Sequence, residues 1–294
     1  MASQITGFVA LVSGWGVPAL TAKVFENADR LRIIAHSAGS VKGFLSQEVV
    51  DRYLAPRHIV VFSANHAIAY NVAEYTVGML ISGSRRIYEQ AEHIRKTGGW
   101  KHPEYTGNGQ FLQGSTVGLV SASKVGREVI RMLKPFDLRV LVYDPYLSDR
   151  EAGCLDVEKV ELDDLFSRSD MVSIHAPNIP ETQGLIGARQ FKRLRDDALF
   201  VNTSRGSVLD QDALYAEAAS GRIRVVLDVT TPEPLPAEHP MRKLTNVLVT
   251  PHVSGAGFYG YYRIGASTLE ALEAFFSDRP VAEAVPLDRY SALA

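Results

Sequence analysis

The chain holds a single cysteine, Cys154, in 294 residues, so it can form no internal disulfide, and a reducing compartment suits it best. Cys154 stands in a surface-like stretch beside Gly153 and is read as inert rather than as a nucleophile. Cations are not in excess either: 31 Lys and Arg face 33 Asp and Glu, a formal net charge of -2. Neither a nucleic-acid partner nor an anionic membrane surface is expected from that balance. No apolar run is long enough to cross a bilayer. The N-terminal stretch 5–12 is interrupted by Thr6 and Gly7 and preceded by no basic residue, so it reads as a buried strand rather than a targeting signal. A cytoplasmic protein is expected. No repeat, low-complexity segment or metal-binding set of side chains stands out.

Hydrophobic residues make up 46% and charged residues 22%, an ordinary globular balance over a length that accommodates two domains. From about Asn71 the pattern turns helical. Val72, Tyr75, Met79, Leu80, Gly83, Ile87 and Ile94 recur at helical spacings, and Lys96-Thr97-Gly98-Gly99 supplies a stop. One long helix over 71–96 is expected. Short runs rich in Val, Leu and Ile then alternate with helix-forming stretches. Strands are expected at 116–120, 139–143, 171–174, 198–201, 224–227 and 246–250, with helices at 125–133, 162–168, 188–194 and 211–220. Apolar strands separated by helices indicate a parallel sheet covered on both faces, the doubly wound dinucleotide-binding architecture. Before residue 71 the alternation is weaker, with strands expected at 9–12, 31–34 and 58–62, and the chain closes on a helix over 261–276.

The strand at 116–120 runs into a tight turn and a helix, the place where such a fold seats a pyrophosphate on a helix N-terminus. The usual turn is G-x-G-x-x-G. Here it reads Ser121-Ala122-Ser123-Lys124-Val125-Gly126, with only the last glycine present. That glycine is the one that lets helix and strand pack closely. Asp144 closes the next strand about 20 residues on, where a carboxylate meets the adenosine ribose of a dinucleotide. An acid there accepts a bond from the 2′-hydroxyl and repels a 2′-phosphate, which favours NAD over NADP. Asp144, in Tyr143-Asp144-Pro145-Tyr146, equally fits a residue that merely opens a turn before proline.

Polar segments follow successive strands in the second half: Asn202-Thr203-Ser204-Arg205-Gly206, then Asp228 through Glu233 and Pro234, then Thr250-Pro251-His252. In an open parallel sheet the carboxyl ends of the strands line the ligand crevice. A cation, a carboxylate and an imidazole are therefore expected along one edge.

With these segments in view, the sequence resembles the D-isomer-specific 2-hydroxyacid dehydrogenases over nearly its whole length. The matching pieces are Val72-Ala73-Glu74, the serine-bearing turn, Tyr143 to Tyr146, His175-Ala176-Pro177, the segments around Arg205 and Glu233, and Thr250-Pro251-His252. Together, in this order and spacing, they are specific; each alone is weak.

The resemblance implies an α/β fold in which a doubly wound (Rossmann) NAD-binding domain, residues 69–255, is inserted in a smaller flavodoxin-like substrate domain, residues 1–68 and 256–294. It implies hydride exchange between NAD(H) and a small 2-keto or D-2-hydroxy acid. Arg205 would bind the substrate carboxylate and polarise the keto oxygen, its planar fork matching a carboxylate. His252 would give a proton to that oxygen and take it back in the reverse direction. Glu233 would hydrogen-bond His252 and favour its protonated form. Ala38 and Gly39 would lend backbone to the substrate carboxylate. On the cofactor side, Ser123, Lys124, Val125 and Gly126 would meet the pyrophosphate and Asp144 the ribose. His175, Ala176 and Pro177 would lie beside the adenosine. Thr203, Ser204 and Gly255 would line the cofactor face, and Asp228 would sit near the nicotinamide carboxamide. A homodimer is implied, paired through the 71–96 helix. The sequence departs from the family in two places. One is the pair of serines in the turn. The other is the start, since family members usually carry a further strand–helix unit before the segment at 9–12. The alternative expectation is a non-catalytic or degenerate NAD(H)-binding relative that acts through protein partners.

Overall fold

A computed structural model describes residues 3–100, 102 and 111–292. The chain divides into two compact units, Met1–Asn71 with Ala256–Ala294, and Val72–Gly255. In the smaller unit, β1 (Ala10–Ser13), β2 (Ile33–His36) and β3 (Val60–Ser63) form a parallel sheet in that order. All of β2 is buried, but Val12 in β1 is 55% exposed. The stretch expected as a buried strand is thus an edge strand that begins only at Ala10, paired on one side alone. One face of this sheet packs Ile34 and Val61 against Phe25, Leu45 and Leu54. The other sets Ala35 and Phe62 against Ile264 and Ala271 of the helix Phe258–Phe276.

The larger unit is built on seven parallel strands. They are β4 (Thr116–Val120), β5 (Arg139–Tyr143), β6 (Glu158–Lys159), β7 (Met171–Ile174), β8 (Leu199–Asn202), β9 (Arg224–Leu227) and β10 (Val247–Val249). Their order is β10-β9-β8-β7-β4-β5-β6. Side chains alternate between two cores: Phe200, Val172 and Val225 enter one, while Leu199, Met171 and Val226 enter the other. Both faces are covered, as the uninterrupted Val, Leu and Ile runs require. The chain moves outward from β4 to β5 and β6, then returns to β7 on the far side of β4 and continues the opposite way. The reversal between β4 and β7 opens a crevice at the carboxyl ends of those strands, the place where doubly wound sheets bind ligands.

Helices Lys124–Leu133, Leu162–Arg168, Ala188–Phe191 and Gln211–Ala219 occupy the stretches that periodicity marks. The single long helix expected over 71–96 is instead two, Asn65–Ser84 and Ile87–Thr97. Between them Arg86 takes a left-handed φ of 53°. Its guanidinium is drawn onto Asp197 and lies 4.0 Å from Glu89. The break is therefore held by a tertiary ion pair. Cys154 is exposed, on the short helix Asp149–Leu155. Among the described residues, no helix is long and apolar enough to cross a membrane.

Candidate active site

The turn after β4 is closed by its own serines and by Asp144. Ser121 adopts φ 83°, the left-handed region that glycine usually fills. Its backbone N–H donates to the Tyr143 carbonyl (2.8 Å), and its hydroxyl donates to Asp144 Oδ2 (3.1 Å). The Ala122 N–H donates to the same oxygen (2.9 Å), and the Tyr146 N–H to Oδ1 (2.9 Å). Asp144 thus both opens the turn before Pro145 and buttresses the phosphate turn. A carboxylate has about four acceptor sites, so room remains for a ribose hydroxyl.

Ser123 caps the helix Lys124–Leu133. Its hydroxyl accepts from the Gly126 N–H (3.4 Å) and donates to the His175 carbonyl (2.8 Å). Lys124 and Val125 lie in the first helical turn, where geometry supplies no intrahelical acceptor for backbone N–H groups. A Cβ on Gly126 would stand 2.2 Å from the Ser121 carbonyl oxygen, so the turn closes only with glycine there. His175 follows β7, on the opposite side of the switch point. It is 4% exposed, and among the described residues neither ring nitrogen finds a partner. Burial pushes its pKa down to about 3, so the ring is neutral. Ala176 beside it is buried, and the Pro177 carbonyl accepts from the Thr182 hydroxyl. An orphaned buried imidazole next to a glycine-tight helix end fits a dinucleotide, whose polar atoms would partner it.

The chemical residues lie on the loops after β8, β9 and β10. Arg205 is exposed, and its guanidinium donates to the Ser204 carbonyl (2.7 Å). Its turn is closed by Asn202, which is fully buried: Nδ2 donates to the Arg205 carbonyl (3.0 Å), and Oδ1 accepts from the N–H (3.0 Å) and hydroxyl (2.9 Å) of Ser204. A Cβ on Gly206 would meet the Thr230 carbonyl carbon at 2.1 Å, so this loop and the one after β9 touch backbone to backbone. The latter loop carries Glu233, whose Oε1 lies 2.6 Å from His252 Nδ1. Both side chains are nearly half exposed, at 43% and 45%.

His252 sits at a left-handed φ of 54°, with its N–H donating to the Asp228 carbonyl (2.9 Å). Asp228 is 1% exposed, and its carboxylate is held by three groups of the His252 loop. Oδ1 accepts from the Thr250 hydroxyl (2.7 Å) and the Val253 N–H (2.9 Å), and Oδ2 from the Ser254 N–H (2.9 Å). Sequence reasoning placed Asp228 at the carboxamide; what it visibly does is clamp the turn that presents His252. Gly255 is the last residue of this unit. Ala38 and Gly39 belong to the smaller unit, where the Ser63 hydroxyl donates to the Gly39 carbonyl (2.6 Å).

Three contributors were not singled out from sequence. Asn202 was read only as part of a motif. Tyr75, read as a helix-face residue, brings its hydroxyl within 2.6 Å of Thr250 Oγ1. Thr76 beside it is fully buried, 3.1 Å from Thr203 Oγ1. Consecutive residues of one helix thus reach two of the site's loops, and no local pattern reports it.

Residues 77–254 match the model of the D-isomer specific 2-hydroxyacid dehydrogenase NAD binding domain. The chain is 35% identical to a glyoxylate reductase of Korarchaeum cryptofilum over 260 residues, covering 87% of this chain and 76% of the relative. It is 32% identical to a D-3-phosphoglycerate dehydrogenase of Archaeoglobus fulgidus over 267 residues, covering 90% of this chain and 49% of the relative, about half its length. Among solved structures, a phosphoglycerate oxidoreductase from Rhizobium etli superposes with a TM-score of 0.82 at 26% identity, covering 97% of this chain and 84% of that one. An NAD-dependent formate dehydrogenase from Staphylococcus aureus, in complex with NAD, superposes at 0.73 and 26% identity, covering 97% and 85%.

Proposed function

Because the chain belongs to the D-isomer specific 2-hydroxyacid dehydrogenase family, we propose that it is an NAD-dependent oxidoreductase interconverting a small 2-keto acid and its D-2-hydroxy acid. The larger unit is the dinucleotide-binding domain in this reading, and the smaller unit the substrate domain. The observation that carries the reading is the His252–Glu233 pair at 2.6 Å, on loops joined to the Arg205 loop along the carboxyl edge of the sheet.

NAD(H) supplies or accepts the hydride when bound; Ser123 through Gly126, Asp144 and His175 with Ala176 and Pro177 would hold it, with Thr203, Ser204 and Gly255 along its face. Arg205 binds the substrate carboxylate and polarises the keto oxygen. His252 donates the proton that this oxygen takes up on reduction and receives it on oxidation. With Nδ1 committed to Glu233, Nε2 is the ring nitrogen that exchanges the proton. Glu233 orients the ring, and Asp228 fixes the turn beneath it. The Asp144 carboxylate selects NADH over NADPH by repelling a 2′-phosphate.

The test is a screen of glyoxylate, hydroxypyruvate, phosphohydroxypyruvate and longer 2-keto acids against NADH and NADPH, followed by cofactor absorbance. On the substrate found, His252→Ala should slow turnover by about a hundredfold or more while NADH binding holds, since general acid catalysis contributes that much. Full turnover in the variant removes His252 from the acid's role. If no acid is reduced while NADH still binds, the chain is an NAD(H)-binding protein acting through partners.

The quaternary state proposed is a homodimer. The helix Ile87–Thr97 has no buried residue and exposes Ile87 (49%), Tyr88 (38%) and Ile94 (42%), an apolar surface that a second copy would cover. Sedimentation at micromolar concentration should return twice the chain mass; a monomer there overturns the assignment.

A further inference from the structure

One hydrogen-bonded path in the larger unit has a direction fixed by counting protons. The Thr250 hydroxyl has one proton, and the carboxylate of Asp228 at 2.7 Å takes it, because an ionised carboxyl only accepts. The Thr250 oxygen must therefore accept from Tyr75, whose hydroxyl lies 2.6 Å away. Half-burial raises the Tyr75 pKa, which keeps its phenol protonated and able to donate. On its other side the carboxylate collects the N–H groups of Val253 and Ser254. The bonded path thus reads phenol, hydroxyl, carboxylate, then the two amides that follow His252.

Those amides directly follow a left-handed residue of the site. His252 holds φ 54°, a conformation that L-residues adopt at a cost and keep only where surrounding contacts over-determine it. Its ring stands nearly half exposed against Glu233, so packing contributes little to its placement. The position of Nε2 depends on the backbone turn, and the turn depends on Asp228. Asp228 in turn is oriented by Thr250, and Thr250 by Tyr75.

We propose that Tyr75 is a positioning residue for His252, acting through Thr250 and Asp228 to hold the left-handed turn that presents the imidazole. It makes no contact with the reacting atoms in this role. The inference rests on His252 being the acid–base group only for its effect on turnover; its effect on the turn stands independently of any activity.

The experiment uses the full chain with Tyr75→Phe, Thr250→Val and Thr250→Ser. The first removes one hydroxyl and keeps the ring. The second breaks the path at its middle, and the third restores a hydroxyl there. Two readouts are taken: amide hydrogen exchange at Val253 and Ser254, and kcat beside KM and Kd for NADH. In Tyr75→Phe and Thr250→Val both amides should exchange about tenfold faster, the size of one lost hydrogen bond. The kcat should fall about tenfold, with Kd for NADH within twofold, because misplacement of a catalytic group by a fraction of an ångström acts on the chemical step. Thr250→Ser should match the wild type in both. Wild-type exchange and wild-type kcat in Tyr75→Phe overturn the proposal. So does a loss of kcat matched by an equal loss of NADH affinity, which marks general loosening. If the wild type reduces no keto acid, the dehydrogenase reading fails and the exchange rates alone decide the role of Tyr75.

Discussion

The hydroxyl of Ser123 turns inward. A serine at this point of the turn can either donate to a phosphate oxygen or push the pyrophosphate off the helix end. In the structure the hydroxyl caps the helix at the Gly126 N–H and donates to the His175 carbonyl, so its one proton is committed within the protein. Ser121 is accommodated in a related way. A left-handed L-residue costs roughly 1–2 kcal/mol, and the bonds to Asp144 and Tyr143 offset part of that. The turn therefore replaces two flexible glycines with two serines locked by side-chain bonds. Ser123→Gly should remove the cap and the tie, lowering stability by about 1 kcal/mol. It should change NADH affinity by less than about tenfold, or 1.4 kcal/mol, because the hydroxyl proton is already committed to the His175 carbonyl. Thermal unfolding and calorimetric titration of both proteins measure the pair of effects. Should only the glycine variant bind NADH, the serine turn excludes the pyrophosphate and the dehydrogenase reading is wrong.

At the scale of elements, what was legible is what local pattern determines. Six of the larger unit's seven strands announce themselves as Val-, Leu- and Ile-rich runs because both sheet faces are buried there, whereas the edge strand β6 is two exposed polar residues that no such run marks. Arg205, Glu233 and His252 were found because their loops follow such strands, and the family resemblance gave them roles. Two of the misses share one cause, a partner distant in sequence. The break at Arg86 depends on Asp197, a separation of 111 residues. Tyr75 meets Thr250 across 175 residues. The periodicity of the helix Asn65–Ser84 reports only that Tyr75 recurs with apolar neighbours, not that its hydroxyl is used. The edge position of β1 was also invisible, since an apolar run does not say how many neighbours will cover it. In the smaller unit, helix Ala22–Glu26 is too short for a helical period to show. The close approach of Gly206 to Thr230 is likewise a tertiary fact, although the glycine itself stood in the motif.

At the scale of the whole molecule, each unit keeps one imidazole buried and uncharged. His36 in the smaller unit is 4% exposed, bonded through Nδ1 to the Ser13 hydroxyl (2.9 Å), and burial pushes its pKa down to about 4. His175 in the larger unit is pushed down to about 3 for the same reason. In the unfolded chain both take up a proton near pH 6.5. As pH falls through 6.5 the unfolded state therefore gains protons that the folded state refuses, and stability declines by about 1.4 kcal/mol per pH unit for each group. For His36 the decline ends near pH 4, where the folded ring protonates as well. Above about pH 7 neither group contributes, since both states are then neutral. Between about pH 6.5 and 5 each of the two imidazoles contributes about 2 kcal/mol to the decline. Urea midpoints should consequently be lower at pH 5 than at pH 7, with His36→Asn and His175→Asn each removing one group's share of the decline whatever they do to stability at pH 7. Equal midpoints at the two pH values in the wild type, or an undiminished decline in the double variant, would show that these imidazoles ionise without unfolding their units.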